Sequence, residues 1–151
     1  MAVAIMLLVP AGVSLAAGDS GKSGEVLFIN RADNICQHKT NDARRRIQRG
    51  VHYLEHHRLR PAGIEFAAAY RELRIGYHRI GRLPRPDGER KLIGKWLTRE
   101  RYATATGVNA AVALQHYRLD AAARLTRKSA HRERLAYRAV RKFKFDHCAP
   151  L

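Results

Sequence analysis

The chain has 151 residues, 46% of them apolar, and a formal net charge of +16 from 29 Lys and Arg against 13 Asp and Glu. One domain of ordinary size with a packed core is expected, and a multidomain machine or an uncollapsed polyelectrolyte is excluded. So basic a surface attracts phosphates, anionic polymers and anionic membranes, and that attraction weakens with salt.

The chain opens on Ala2 to Ala17, "AVAIMLLVPAGVSLAA", which carries no charge. A spanning helix needs about 20 residues, and this run is shorter and broken by Pro10 and Gly12. Ser14-Leu15-Ala16 and Ala16-Ala17-Gly18 each fit the small-x-small rule of a signal-peptide cleavage site. Residues 1–18 are therefore expected to be a secretory signal, or a membrane anchor where they stay uncleaved. No Cys flanks the cleavage region, so a lipoprotein anchor is not expected. Residues 19–24 read as a polar tether and residues 25–151 as the mature helical domain.

The same region holds "AAGDSGKS", Ala16 to Ser23, a loose match to a phosphate-binding loop. That motif needs a strand before it, a helix after it and a sheet around it. Ala16 replaces the first glycine, and no apolar strand follows. Nucleotide binding is not expected.

From Gly24 onward the apolar residues recur at spacings of three and four. The first helical stretch covers about 24–58, with Ile29, Ala32, Cys36, Ala43, Ile47, Val51 and Leu54 as its stripe, and Gly50 as a point of bending or breakage. The second covers about 62–82 (Phe66, Ala69, Tyr70, Leu73, Tyr77, Ile80), opened by Pro61 and closed by "LPRPDG". The third covers about 89–117 (Leu92, Ile93, Trp96, Ala103, Gly107, Ala110, Ala111, Leu114), locally loosened at Gly107. The fourth covers about 120–143, capped by Asp120, with a stripe made mostly of alanine. The pattern predicts an all-α, up-down-up-down four-helix bundle behind the signal segment. No internal repeat is apparent.

There are two cysteines, Cys36 and Cys148. They lie early in the first helix and just after the fourth, at the same pole of an up-down bundle. After export they meet an oxidising compartment, and a disulfide is expected. Two unpaired buried thiols, or a metal site with His147, are the alternatives.

Phe28-x-x-x-Ala32-Asp33-x-Ile35-Cys36, Leu83-Pro84-Arg85-Pro86, Trp96-Leu97 and the late Cys148 together resemble small exported helical proteins of high-GC Gram-positive bacteria. The likeness covers most of the mature chain. It implies export, a helical fold and a disulfide, and it carries over no catalytic residue. The high histidine count and the heavily basic last helix depart from the pattern.

Two groups of residues are candidates for binding. His52 and His56 sit four apart on one helix face, a spacing at which two imidazoles chelate zinc or copper when further ligands join them. The second group is basic. Arg44, Arg45 and Arg46 form one cluster, and Arg124, Arg127, Lys128, Arg134, Arg138, Arg141 and Lys142 spread around more than one face of the fourth helix. Phosphate contact needs no more than such a field, whereas sequence-specific nucleic-acid reading needs an organised motif that is missing. A solvated basic surface is the plain alternative. No catalytic constellation and no cofactor motif is present. The chain reads as a non-catalytic structural or binding module for anionic envelope polymers or lipid headgroups. The alternative is an extracytoplasmic metal-binding bundle using His52 and His56. Oligomeric state is not legible.

Overall fold

The computed structural model describes residues 20–148, with side chains from Ser23 onward. The segment read as a signal, residues 1–18, lies outside the described residues. No described helix is long and apolar enough to cross a membrane.

Four helices follow one another: α1 (Ser20–Glu55), α2 (Leu59–Ile80), α3 (Arg90–Gln115) and α4 (Leu119–Val140). A short 3-10 turn, Arg141–Phe143, ends the last of them. The helices pack in sequence, α1 on α2, α2 on α3 and α3 on α4. Cross-helix contacts run antiparallel: Arg46 reaches Glu65 and Lys39 reaches Glu72 between α1 and α2, and Ser129 bonds Ala103 between α4 and α3. The expected up-down arrangement is thus formed, with one seam different from a closed bundle. α1 and α4 are not a packed pair, and a cleft runs between them.

Several local expectations need correction. α1 begins at Ser20, inside the segment read as a tether, so Gly21, Lys22 and Ser23 of the phosphate-loop match lie in its first turn. No strand occurs among the described residues. Helix α1 runs unbroken through Gly50, and α3 through Gly107. Both glycines are required by packing instead. A Cβ at Gly50 would meet the Phe66 ring at 2.5 Å, and one at Gly107 would meet the Tyr70 ring at 2.3 Å. The N-cap of α4 is Arg118, with Asp120 inside the first turn, where its charge complements the helix dipole.

The chain also carries a repeat that the sequence reading missed. Leu54-Glu55-His56-His57-Arg58-Leu59 ends α1 and opens α2; Leu114-Gln115-His116-Tyr117-Arg118-Leu119 does the same between α3 and α4. His57 and Tyr117 both take the left-handed conformation, with φ of 56° and 59°. The Arg58 N–H donates to the Tyr53 carbonyl at 2.8 Å, and the Arg118 N–H to the Ala113 carbonyl at 2.9 Å. At the same sixty-residue offset, Ala43 and Ala103, Gly50 and Ala110, Ala62 and Ala122, Gly76 and Ala136, and Ile80 and Val140 are buried in both halves. The molecule is two similar helical hairpins joined through α2 and α3.

The large core side chains gather at one pole. Phe28, Ile80, Ile93, Trp96, Val140, Phe143 and Phe145 form a single cluster there. Trp96 stacks on Phe145 with centroids 5.1 Å apart and meets Tyr77 edge-on at 6.0 Å. Lys144, at φ 49°, turns the chain back onto α1. The Asp33 carboxylate then accepts the backbone N–H groups of Asp146 and His147, each at 3.0 Å. Cys148 is bonded to Cys36, with Cα atoms 5.1 Å apart. The Ala32-Asp33-x-Ile35-Cys36 run is therefore a docking point for the tail: Ala32 is small and fully buried, Asp33 caps the tail and Cys36 ties it. Toward the other pole the helices meet through Ala62, Gly63, Ala67, Ala110 and Ala113. Small side chains there leave the cleft unfilled.

Candidate binding surfaces

The expected basic residues divide into two groups once placed. On α1, Arg45 is paired with Asp42, and Arg46 and Arg49 share Glu65 at 3.4 and 3.0 Å. Only Arg44 of the triple-arginine run makes no ion pair among the described residues. On α4 the position is different. Arg124, Arg127, Lys128, Arg134, Arg138 and Arg141 are all exposed, and none has a carboxylate within salt-bridge distance among the described residues. Lys142 is bound by Glu89. At 100° per residue these positions fall on one arc of roughly 140°, not on several faces. Burial of Ala122, Ser129, Ala136 and Val140 fixes that orientation by turning the opposite arc onto α3. The result is a continuous cationic ridge on solvent.

His52 and His56 stand edge-to-face with ring centroids 4.5 Å apart, and both are exposed. No group of three His, Cys, Asp or Glu side chains converges in a metal-holding arrangement among the described residues. His56 belongs to the repeated turn, where its counterpart is His116. Both lie just past a helix C-terminus. His147 lines the cleft beside Cys148, whose sulfur is committed to the disulfide.

The feature that sequence reading missed is the cleft itself, about 590 Å³, bounded by all four helices and closed at one end by Cys36, Cys148 and His147. Its walls are mainly apolar, with Ile47, Leu54, Phe66, Leu73, Leu114 and Leu119 among them. Set into these walls are four ionisable groups without a cationic partner at bonding distance: Tyr70, Tyr77, Glu100 and Glu133. Glu100 is 2% exposed. Its Oε1 accepts the Trp96 indole N–H at 3.1 Å, and its Oε2 is buried with no hydrogen-bond partner. Burial pushes the Glu100 carboxyl up to about 8, against the pull of hydrogen bonds from Trp96 and Tyr77, and the nearby Glu133 charge adds to the rise. Burial also raises Glu133, which Ser129 and Arg134 partly offset.

The phenols respond in the same sense. Desolvation, then the charges of Glu100 and Glu133, hold Tyr77 well above the ordinary phenol range. Tyr70 is raised by burial and by Glu133. The Ser129 hydroxyl donates to the Ala103 carbonyl at 2.9 Å and moderates both Tyr70 and Glu133. Among the described residues Lys39 is the one ammonium in the cleft wall, and it is already held by Glu72 at 2.8 Å and by Asp42 at 3.4 Å. The Glu72 hydrogen bond is the main reason its pKa is raised.

These polar groups converge on a mainly apolar space, the form of a binding site. No protein-family model, no curated protein and no solved structure matches the chain.

Proposed function

We propose that the protein is an exported, non-catalytic binding module held on anionic envelope polymers or lipid headgroups by α4. The observation that carries this reading is the cationic ridge: Arg124, Arg127, Lys128, Arg138 and Arg141 are exposed and without ion pairs among the described residues. Unpaired surface arginines with a planar donor fork suit phosphate and carboxylate groups. The leader-like opening segment, the Cys36–Cys148 bond and the likeness to small exported helical proteins support an extracytoplasmic location.

Binding of the mature chain to phosphatidylglycerol vesicles, and separately to a phosphate-rich wall polymer, tests the reading. Each released counterion steepens the fall of affinity with salt, so log K declines linearly with log salt concentration. Salt-insensitive binding contradicts the proposal. The metal-binding alternative has the 4.5 Å approach of His52 and His56 in its favour. A rise in stability on adding Zn²⁺ or Cu²⁺, abolished in His52→Ala, would put that reading first.

A further inference from the structure

We propose that the cleft between α1 and α4 is a binding site for a lipophilic amine, an alkyl or aryl body carrying one ammonium group, whose head is received by Glu100 and Glu133. Four observations lead there.

The first is size. A space of about 590 Å³ falls in the usual range for small-molecule pockets, and it is blocked at one end by the disulfide and the returning tail. The second is the uncompensated polar set. Buried polar atoms are nearly always partnered, and the Glu100 Oε2, in a side chain 2% exposed and lining the cleft, has no partner at bonding distance, although Trp96 and Tyr77 both act on the carboxyl. The third is charge complementarity. Lys39, the cation nearest to hand, is occupied by Glu72 and Asp42. Among the described residues the cleft wall thus offers an anionic head no unpaired lysine or arginine, while two carboxyls and the Tyr70 and Tyr77 rings suit an ammonium. The fourth is asymmetry between the two hairpins. The positions equivalent to Glu100 and Glu133 are Thr40 and Leu73, which line the same cleft from the first hairpin. Packing is therefore satisfied by uncharged residues at these positions, and the acids are particular to one wall.

The groups facing Glu100 are Trp96 on α3, Tyr77 on α2 and Glu133 on α4; Ser129 and Arg134 act on Glu133, and Lys39 and Thr40 line the cleft from α1. Because burial keeps the Glu100 carboxyl protonated near neutrality, an arriving ammonium ion displaces that proton to the buffer and leaves a hydrogen-bonded ion pair. The ammonium keeps its own protons, so one proton is released for each molecule bound. Outside the cleft the net +16 surface repels cations, which separates this site from the α4 ridge.

Calorimetric titration of the disulfide-intact chain at about pH 7 and roughly 0.15 M salt, where surface charge is screened, compares decylamine, decanol and decanoate. Decylamine is expected to bind about tenfold or more tighter than decanol, with close to one proton released. Glu100→Gln is expected to abolish the proton release and weaken decylamine by about tenfold while leaving decanol unchanged. Thr126→Trp, at an exposed position of the cleft wall, is expected to weaken decylamine and decanol alike without unfolding the chain. Equal affinity for decylamine and decanol, tighter binding of decanoate that Thr126→Trp relieves, or proton release that survives in Glu100→Gln would each overturn the proposal.

Discussion

Replacing Glu100 by Gln preserves side-chain size and the oxygen that accepts the Trp96 indole, and removes only the ability to ionise. In the folded chain burial holds this carboxyl at about 8, against 4.5 as its ordinary value. Below the lower value both folded and unfolded chains carry the proton, and the residue imposes no penalty. As pH rises from 4.5 toward 8 the unfolded chain gives up the proton while the folded chain retains it, so the unfolded state is progressively favoured. Above 8 the penalty is constant. A full separation of that size corresponds to about 5 kcal/mol, at 1.36 kcal/mol per pH unit, with most of it present at neutrality. Urea denaturation of both proteins between pH 5 and 9 isolates the effect of Glu100 and its coupling to Glu133 and Tyr77, since the titrating groups that do not interact with it cancel in the difference. The stability of Glu100→Gln relative to the parent should rise by about 3–5 kcal/mol across that window. Parallel pH curves would refute the argument and place Glu100 in contact with water or with an unrecognised cation.

The disulfide closes a span of 112 residues, and changing both Cys36 and Cys148 to Ser should lower unfolding free energy by about 3–5 kcal/mol in the oxidised protein. An unchanged urea midpoint would show that the aromatic pole and the Asp33 cap hold the tail unaided. Two glycines should respond to alanine with opposite signs. Gly63→Ala puts a Cβ 2.6 Å from the Ala111 carbonyl oxygen, backbone that cannot easily give way, and should destabilise by about 1–3 kcal/mol. Gly24→Ala meets nothing within 4 Å and should stabilise by up to about 1 kcal/mol through helix propensity. Thermal or urea unfolding of the pair decides both, and a stabilised Gly63→Ala would mean that α2 and α3 do not approach as closely as described.

The parts of the fold readable in the sequence are those set by local spacing. Stripes such as Phe66, Tyr70, Leu73 and Tyr77 locate the helices to within a few residues, because a helix face is a local pattern. Cys36 and Cys148 are pairable from topology alone, since odd helix starts and even helix ends share a pole. Gly50 and Gly107 read as weak points because propensity is local, whereas their partners Phe66 and Tyr70 come from another helix. The repeated Leu-[Glu/Gln]-His-[His/Tyr]-Arg-Leu turn was present in the sequence, but without its geometry His56 reads as half of a metal pair. The cleft was invisible for a different reason. Glu100 and Glu133 each look like ordinary acids on amphipathic helices, and only the α3–α4 register brings them together. The α4 ridge was legible as composition but not as a single face, because an alanine stripe marks the buried side only faintly.

Placement of the anion-binding function on α4 is tested most directly by moving the charge loss. One variant replaces Arg124, Arg127, Lys128 and Arg138 with Gln. The control replaces Arg71, Arg74, Arg79 and Arg82, all exposed on or just beyond α2. Both lose the same number of charges. With phosphatidylglycerol vesicles titrated across salt, the α4 variant should show a much flatter dependence of log K on log salt concentration, and the α2 control a dependence close to that of the parent. Equal flattening in both would contradict the account, reducing the ridge to one part of a diffuse basic surface.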